Sequence, residues 1–146
     1  MLGVFIVCLR VMATAFGGEA PVLEDANGNR QVGIGPGPTA YVYRGRDTSL
    51  VASQAGGIIS GVPGVNVVAV ADVRGLGWWP VSGFVRDAVV QQGKRDGTNI
   101  LFDWTGSWGN AMGLPAGGCS VVITDGRSVV TNTDCSAVIE GRVEVK

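Results

Sequence analysis

The side chains of this chain that could do chemistry are three cysteines and a scatter of carboxylates, because histidine is absent. Without imidazole the commonest general base and the commonest metal ligand are missing. Neither a serine triad in its usual form nor a Cys–His nucleophile pair can be assembled. The cysteines are Cys8, Cys119 and Cys135. No C-x-x-C spacing exists, so zinc would have to be held by scattered Cys, Asp and Glu. The odd count excludes a fully paired monomer. Cys119 and Cys135 lie in one terminal β-rich region and have two readings. They form a disulfide worth about 3 kcal/mol if the compartment is oxidising, or they are two small buried thiols.

Glycoside hydrolysis needs two carboxylates facing each other. Asp72, Asp87, Asp96 and Asp103 are candidates, with Glu19, Glu24 and Asp25 further upstream, and no spacing selects a pair. Glu24–Asn29 could hold calcium through oxygens, but it lacks the dense acidic spacing of a calcium loop and reads as an ordinary turn. Gly33-x-Gly35-x-Gly37 has prolines in its gaps and no helix after it, so it is not a dinucleotide fingerprint, and no P-loop is present. The expectation is therefore no catalytic residue, no metal, no cofactor and no enzyme activity.

The tryptophans are the more informative cluster. Trp78-Trp79-Pro80 follows two glycines, and Trp104 and Trp108 stand four apart. Three readings compete. Large rings can plug the ends of a β core, form a subunit contact, or make a platform on which sugars stack.

These side chains must be positioned by short elements. Glycine supplies 24 of 146 residues without a three-residue period, which suits many tight turns. Strands are expected at 40–44, with Tyr41 and Tyr43 on one face, and at 57–60, 66–73, 81–90, 98–102, 119–124, 128–132, 137–139 and 142–145. Asp125-Gly126 signals a two-residue hairpin, and Lys94-Arg95-Asp96-Gly97 a second one. With no clear helical periodicity, the expectation is an all-β sandwich or jelly roll of about eight short strands, or a small barrel. Residues 17–39 are rich in turn signals, and their prolines exclude a central strand. Residues 1–39 thus read as an apolar segment and an extended arm, and 40–146 as the β domain. A net charge of −1 without a basic stripe argues against nucleic-acid binding.

The run Leu2–Leu9 is unbroken and apolar, and too short to span a bilayer as a helix. It reads as a signal peptide cleaved after Ala13-Thr14-Ala15, as a misassigned start before Met12, or as a retained strand. If retained, Leu2, Val4, Phe5, Ile6, Val7 and Leu9 need cover from a neighbour.

Asp25-Ala26-Asn27-Gly28-Asn29, Ala40-Tyr41-Val42-Tyr43-Arg44 and Thr48-Ser49-Leu50-Val51-Ala52 together resemble a pattern of bacteriophage tail-fibre and other virion accessory proteins. Arg46-Asp47 departs from that pattern, which has Gly-Thr there. The resemblance spans 21–57 and implies a non-enzymatic virion part: a capsid decoration (cement) protein or a fibre or adaptor subunit. It would bind copies of itself, as a trimer, and a capsid or tail, through Leu2–Leu9 and Trp78, Trp79, Trp104 and Trp108. The alternative is a secreted carbohydrate-binding module using the same tryptophans.

Overall fold

A computed structural model of the chain describes residues 21–141 except Trp79 and 97–99, and the side chains of all these but Arg46 and Asp96. The architecture is mixed α/β rather than all-β. In chain order the elements are β1 (Val22–Glu24), β2 (Arg30–Val32), β3 (Thr39–Arg44), a 3-10 turn (Arg46–Thr48), α1 (Ser49–Ser60), β4 (Asn66–Asp72), α2 (Val81–Asp96), β5 (Ile100–Asp103), α3 (Ser107–Ala111), β6 (Cys119–Thr124), β7 (Val129–Asp134) and α4 (Cys135–Ile139).

One seven-stranded sheet runs in the order β2-β1-β5-β4-β3-β6-β7. Its centre, β5-β4-β3, is parallel, and the strands on both flanks are antiparallel. Parallel neighbours need a crossover of a dozen or more residues, usually a helix. α1 and α2 are those crossovers. This is why the stretches 57–60 and 81–90, read as strands from composition, are the end of α1 and most of α2.

The local reason is side-chain spacing. Ala52, Ala55 and Ile59 fall on one helical face of α1 and are buried. In α2, Val85, Val89 and Val90 pack against Ala71, Ile100 and Phe102 of the sheet and against Val73 just after β4. Burial of that face outweighs the modest helix propensity of valine and glycine. Similarly, 137–139 belongs to α4, and Lys94-Arg95-Asp96 ends α2 instead of turning a hairpin. The expected arm is a short hairpin: β1 and β2 pair from Val22↔Val32 to Glu24↔Arg30 around the Asp25 turn. The expected strand at 142–145 lies outside the described residues.

The pleat of the sheet separates two cores. Ala40, Val42, Val121 and Ile123 face α1 and α4, with Cys135 and Val138. Leu23, Tyr41, Tyr43, Val70 and Val122 face the other way, onto Trp108 of α3 and Leu114. Among the described residues no helix is long and apolar enough to cross a membrane.

Candidate functional site

The carboxyl ends of the parallel strands β3, β4 and β5 point to one end of the molecule, where open α/β sheets generally bind ligands. β6 begins and β7 ends there too, because both alternate in direction. Two clusters of functional side chains meet at this end, on opposite faces of the sheet.

On the face of α1 and α4, Cys119 at the start of β6 and Cys135 at the start of α4 form a disulfide, with their Cα atoms 5.4 Å apart. Exposure is unequal. Cys135 is 1% exposed within the apolar core, whereas Cys119 is only partly covered. Arg44, the last residue of β3, is the direct register partner of Cys119, so the two side chains share a face. Arg44 is buried. The chain turns from β3 into α1 against the loop that feeds β6. The Gly45 N–H donates to the Gly118 carbonyl at 3.1 Å and to Thr48 Oγ1 at 3.0 Å, and Thr48 Oγ1–H donates to the same carbonyl at 3.1 Å. A Cβ on Gly45 would lie 2.8 Å from Gly117 Cα, so the two backbones approach this closely only with glycine at position 45.

On the other face, Asp103 is fully buried at the end of β5. It accepts the Tyr43 hydroxyl at 2.7 Å and the N–H groups of Gly109 and Trp108 at 2.9 and 3.3 Å. Arg74 joins this group: its Nη2 donates to Tyr43 Oη at 3.0 Å and its Nε to Asp72 Oδ1 at 2.8 Å. Burial, then the bond to Asp103, pushes the Tyr43 hydroxyl pKa above its ordinary value. The Asp72 carboxylate holds the Arg74 guanidinium more firmly protonated still. Gly109 makes the arrangement possible, since a Cβ there would sit 2.3 Å from Tyr43 Oη.

The carboxylates considered from sequence now have places. Asp72 and Asp103 are register partners on β4 and β5, yet each is bound to donors of its own. Glu24 pairs with Arg86 at 2.6 Å. Asp25 caps its own turn by accepting the N–H groups of Asn27 and Asn29, and the Asn29 backbone bond leads in holding its pKa low. Asp87 is exposed on α2. The side chain of Asp96 and all of Glu19 lie outside the described residues. Among the described residues no group of three metal-ligating side chains converges.

The tryptophans divide. Trp108 is completely buried, with ring centroids 5.0 Å from Tyr41 and 5.9 Å from Tyr43, and its Nε1–H donates to the Gly33 carbonyl at 3.1 Å. It is a core residue and not part of an exposed platform or interface. Trp104 is half-buried and stacks on Phe102, and the Arg86 guanidinium lies 5.3 Å from both ring centroids. Trp78 is 60% exposed. Trp79 and Leu2, Val4, Phe5, Ile6, Val7 and Leu9 lie outside the described residues. Sequence reasoning passed over Arg44, Tyr43 and Arg74 as site residues. The alternation at 40–44 already put Tyr43 and Arg44 on opposite faces, but only the register shows what each meets.

No protein-family model and no curated protein sequence matches the chain. Solved structures do match by shape. A thioredoxin-like protein from Aeropyrum pernix superposes with a TM-score of 0.56 at 13% identity, over 92% of this chain and 94% of the other. The exposed lipoprotein thioredoxin of Streptococcus pneumoniae gives 0.55 at 12% identity, over 84% and 97%. A secreted disulfide oxidoreductase of Mycobacterium tuberculosis gives 0.53 at 13% identity, over 77% and 81%. These matches correct the resemblance to virion accessory proteins and the expectation of a non-enzymatic decoration or fibre subunit. The short motifs that carried the resemblance are a hairpin turn, the central strand β3 and the first turns of α1, which this α/β chain uses for its own sheet and crossover. The fold of this chain is thioredoxin-like, with a seven-stranded mixed sheet and four helices among the described residues.

Proposed function

We propose that this protein is a thiol–disulfide redox protein whose exchanging pair is Cys119–Cys135. The observation that carries the reading is the unequal burial of the two cysteines at the carboxyl end of the parallel strands: Cys119 is partly exposed and Cys135 is sheltered in the core. The solved structures of similar shape include a secreted disulfide oxidoreductase and an exposed lipoprotein thioredoxin, which supports the same chemistry. The chain differs from a C-x-x-C redox protein in drawing its two cysteines from separate elements, sixteen positions apart.

Exchange proceeds by attack of a thiolate on a disulfide sulfur. A substrate thiolate attacks Cys119 Sγ, the Cys119–Cys135 bond breaks, and a substrate–Cys119 disulfide forms. The electron pair leaves on the Cys135 sulfur, which takes up a proton. A second substrate thiolate then attacks the substrate sulfur of the mixed disulfide and releases Cys119. The substrate loses two electrons to become a disulfide, and the protein gains them as two thiols. Leu50, Leu76, Trp78 and Phe84 are exposed apolar side chains on the connections and first turns at this end. They favour a polypeptide dithiol over a small soluble thiol as substrate. A disulfide of this kind belongs in an oxidising, extracytoplasmic compartment.

The test is oxidation of a fluorescent dithiol peptide by the oxidised protein with Cys8 replaced by Ser. The reading expects stoichiometric peptide disulfide and two protein thiols mapping to Cys119 and Cys135. A peptide that stays reduced while the protein remains folded and oxidised overturns it.

A further inference from the structure

The redox reading leaves open what keeps Cys119 in place while its sulfur changes partner, and the turn after β3 supplies an answer that rests on that reading. The segment leading into Cys119 is Gly117-Gly118. Gly117 has a φ of +73°, and two glycines in a row give the backbone little stiffness of its own. Two restraints fix this segment. One is the disulfide that follows it directly. The other acts on the Gly118 carbonyl, which accepts the Gly45 N–H and the Thr48 hydroxyl, each at 3.1 Å. Thr48 is the N-cap residue of α1, where a threonine oxygen ordinarily accepts an N–H of the first helical turn. Here its side chain caps no helical N–H. Its oxygen instead accepts the Gly45 N–H at 3.0 Å, and its hydrogen faces the carbonyls of Gly118 and Gly45, 3.1 and 3.3 Å away. The hydroxyl thus ties the turn after β3 to the residue before Cys119.

We propose that Thr48 is a positioning residue for the redox pair: its bond to the Gly118 carbonyl and the Cys119–Cys135 disulfide hold the same glycine segment, so each strengthens the other. When two restraints order one flexible segment, the second costs less once the first is made. The coupling is reciprocal. Closing the disulfide firms the Thr48 bond, and the Thr48 bond raises the effective concentration of one thiol at the other. While the disulfide is open, the Thr48 bond keeps Cys119 close to Cys135 for re-oxidation. Thr48 does not touch the substrate in this scheme.

Two measurements on the Cys8→Ser background test the proposal. In the first, the Cys119–Cys135 pair is equilibrated with glutathione buffers in the parent, Thr48→Val and Thr48→Ser proteins. Thr48→Val keeps the branched shape and loses the hydroxyl. It is expected to favour the dithiol by about fivefold, a potential higher by ~20 mV, and Thr48→Ser to stay near the parent. A merely structural hydroxyl would stabilise both redox forms alike and leave this equilibrium unmoved. No shift in Thr48→Val, or an equal shift in Thr48→Ser, overturns the proposal. In the second, the parent and Thr48→Val proteins are unfolded in urea, once oxidised and once held reduced by a phosphine. Thr48→Val is expected to lower the folding equilibrium constant of the oxidised protein about fivefold more than that of the reduced protein. Equal losses in the two forms overturn the proposal. If the parent pair never exchanges with glutathione, the redox reading fails, and the unfolding comparison still decides whether Thr48 and the disulfide are coupled.

Discussion

The two faces of the sheet meet the same end of the molecule with opposite chemistry. On the α3 face, Asp103, Tyr43, Arg74 and Asp72 satisfy one another and three backbone N–H groups, with nothing left to exchange. On the α4 face a single covalent bond, Cys119–Cys135, crosses from strand to helix beside a buried arginine. The first face is a fixed polar frame. The second carries the bond that the redox reading requires to open. A buried polar network with every member paired rigidifies its surroundings, so on the redox reading the frame holds the strand ends in place while the sulfur pair opens and closes. Distinguishing the two roles requires breaking each face separately.

The largest effect is expected from the frame. In Gly109→Ala the new methyl meets Tyr43 Oη and Cζ, which cannot retreat from a packed core without leaving Asp103. Breaking a buried hydrogen-bonded carboxylate costs roughly 3–5 kcal/mol, read as a fall in the denaturant midpoint. A loss below about 1 kcal/mol would show that the network is dispensable. Reducing the disulfide comes next. Its sixteen-residue separation predicts a loss of about 3 kcal/mol, with the native circular dichroism retained at neutral pH.

Tyr43→Phe is smaller and carries a pH signature. The native hydroxyl is held neutral above its ordinary value of 10.0. Stability from this group is therefore complete below pH 10.0 and falls as pH rises, because the unfolded chain ionises first. Tyr43→Phe is expected to cost about 1–2 kcal/mol at neutral pH and to flatten the alkaline decline in chemical denaturation. An unchanged slope argues against a hydroxyl held neutral by burial and by its bond to Asp103. The smallest stability effect belongs to Trp78→Ser and Phe84→Ser, at side chains 60% and 74% exposed. Each is expected within about 0.5 kcal/mol of the parent, yet to slow exchange with the dithiol peptide more than exchange with glutathione.

Much of the sheet was legible in the sequence. Thr39–Arg44, Asn66–Asp72 and Cys119–Thr124 stand out as β-rich runs, and a hairpin does join β6 to β7, though through the four residues 125–128 and not the two-residue turn expected. The helices were not legible. α1 contains Gly56-Gly57, and α2 contains four valines, which together look like strands and turns when read locally. The missed clue was burial on both faces. All six residues of β3 are buried, and a strand covered on both sides belongs to a sheet with layers over each face, not to the edge of a sandwich. The cysteine pairing was visible as one of two options. Arg44 beside Cys119 was invisible, because a cross-strand partner is set by register and not by distance along the chain. Trp108 was misplaced for a similar reason: its indole closes a core that sequence neighbours do not reveal.

The central claim is that the Cys119–Cys135 bond opens and closes in the folded protein. The decisive measurement is thiol trapping of the Cys8→Ser protein across a series of glutathione buffers, with circular dichroism recorded on the same samples. The account predicts a reversible two-electron transition in which both thiols appear while the native spectrum persists. A pair that stays oxidised until the chain unfolds would identify the bond as a permanent staple and contradict it.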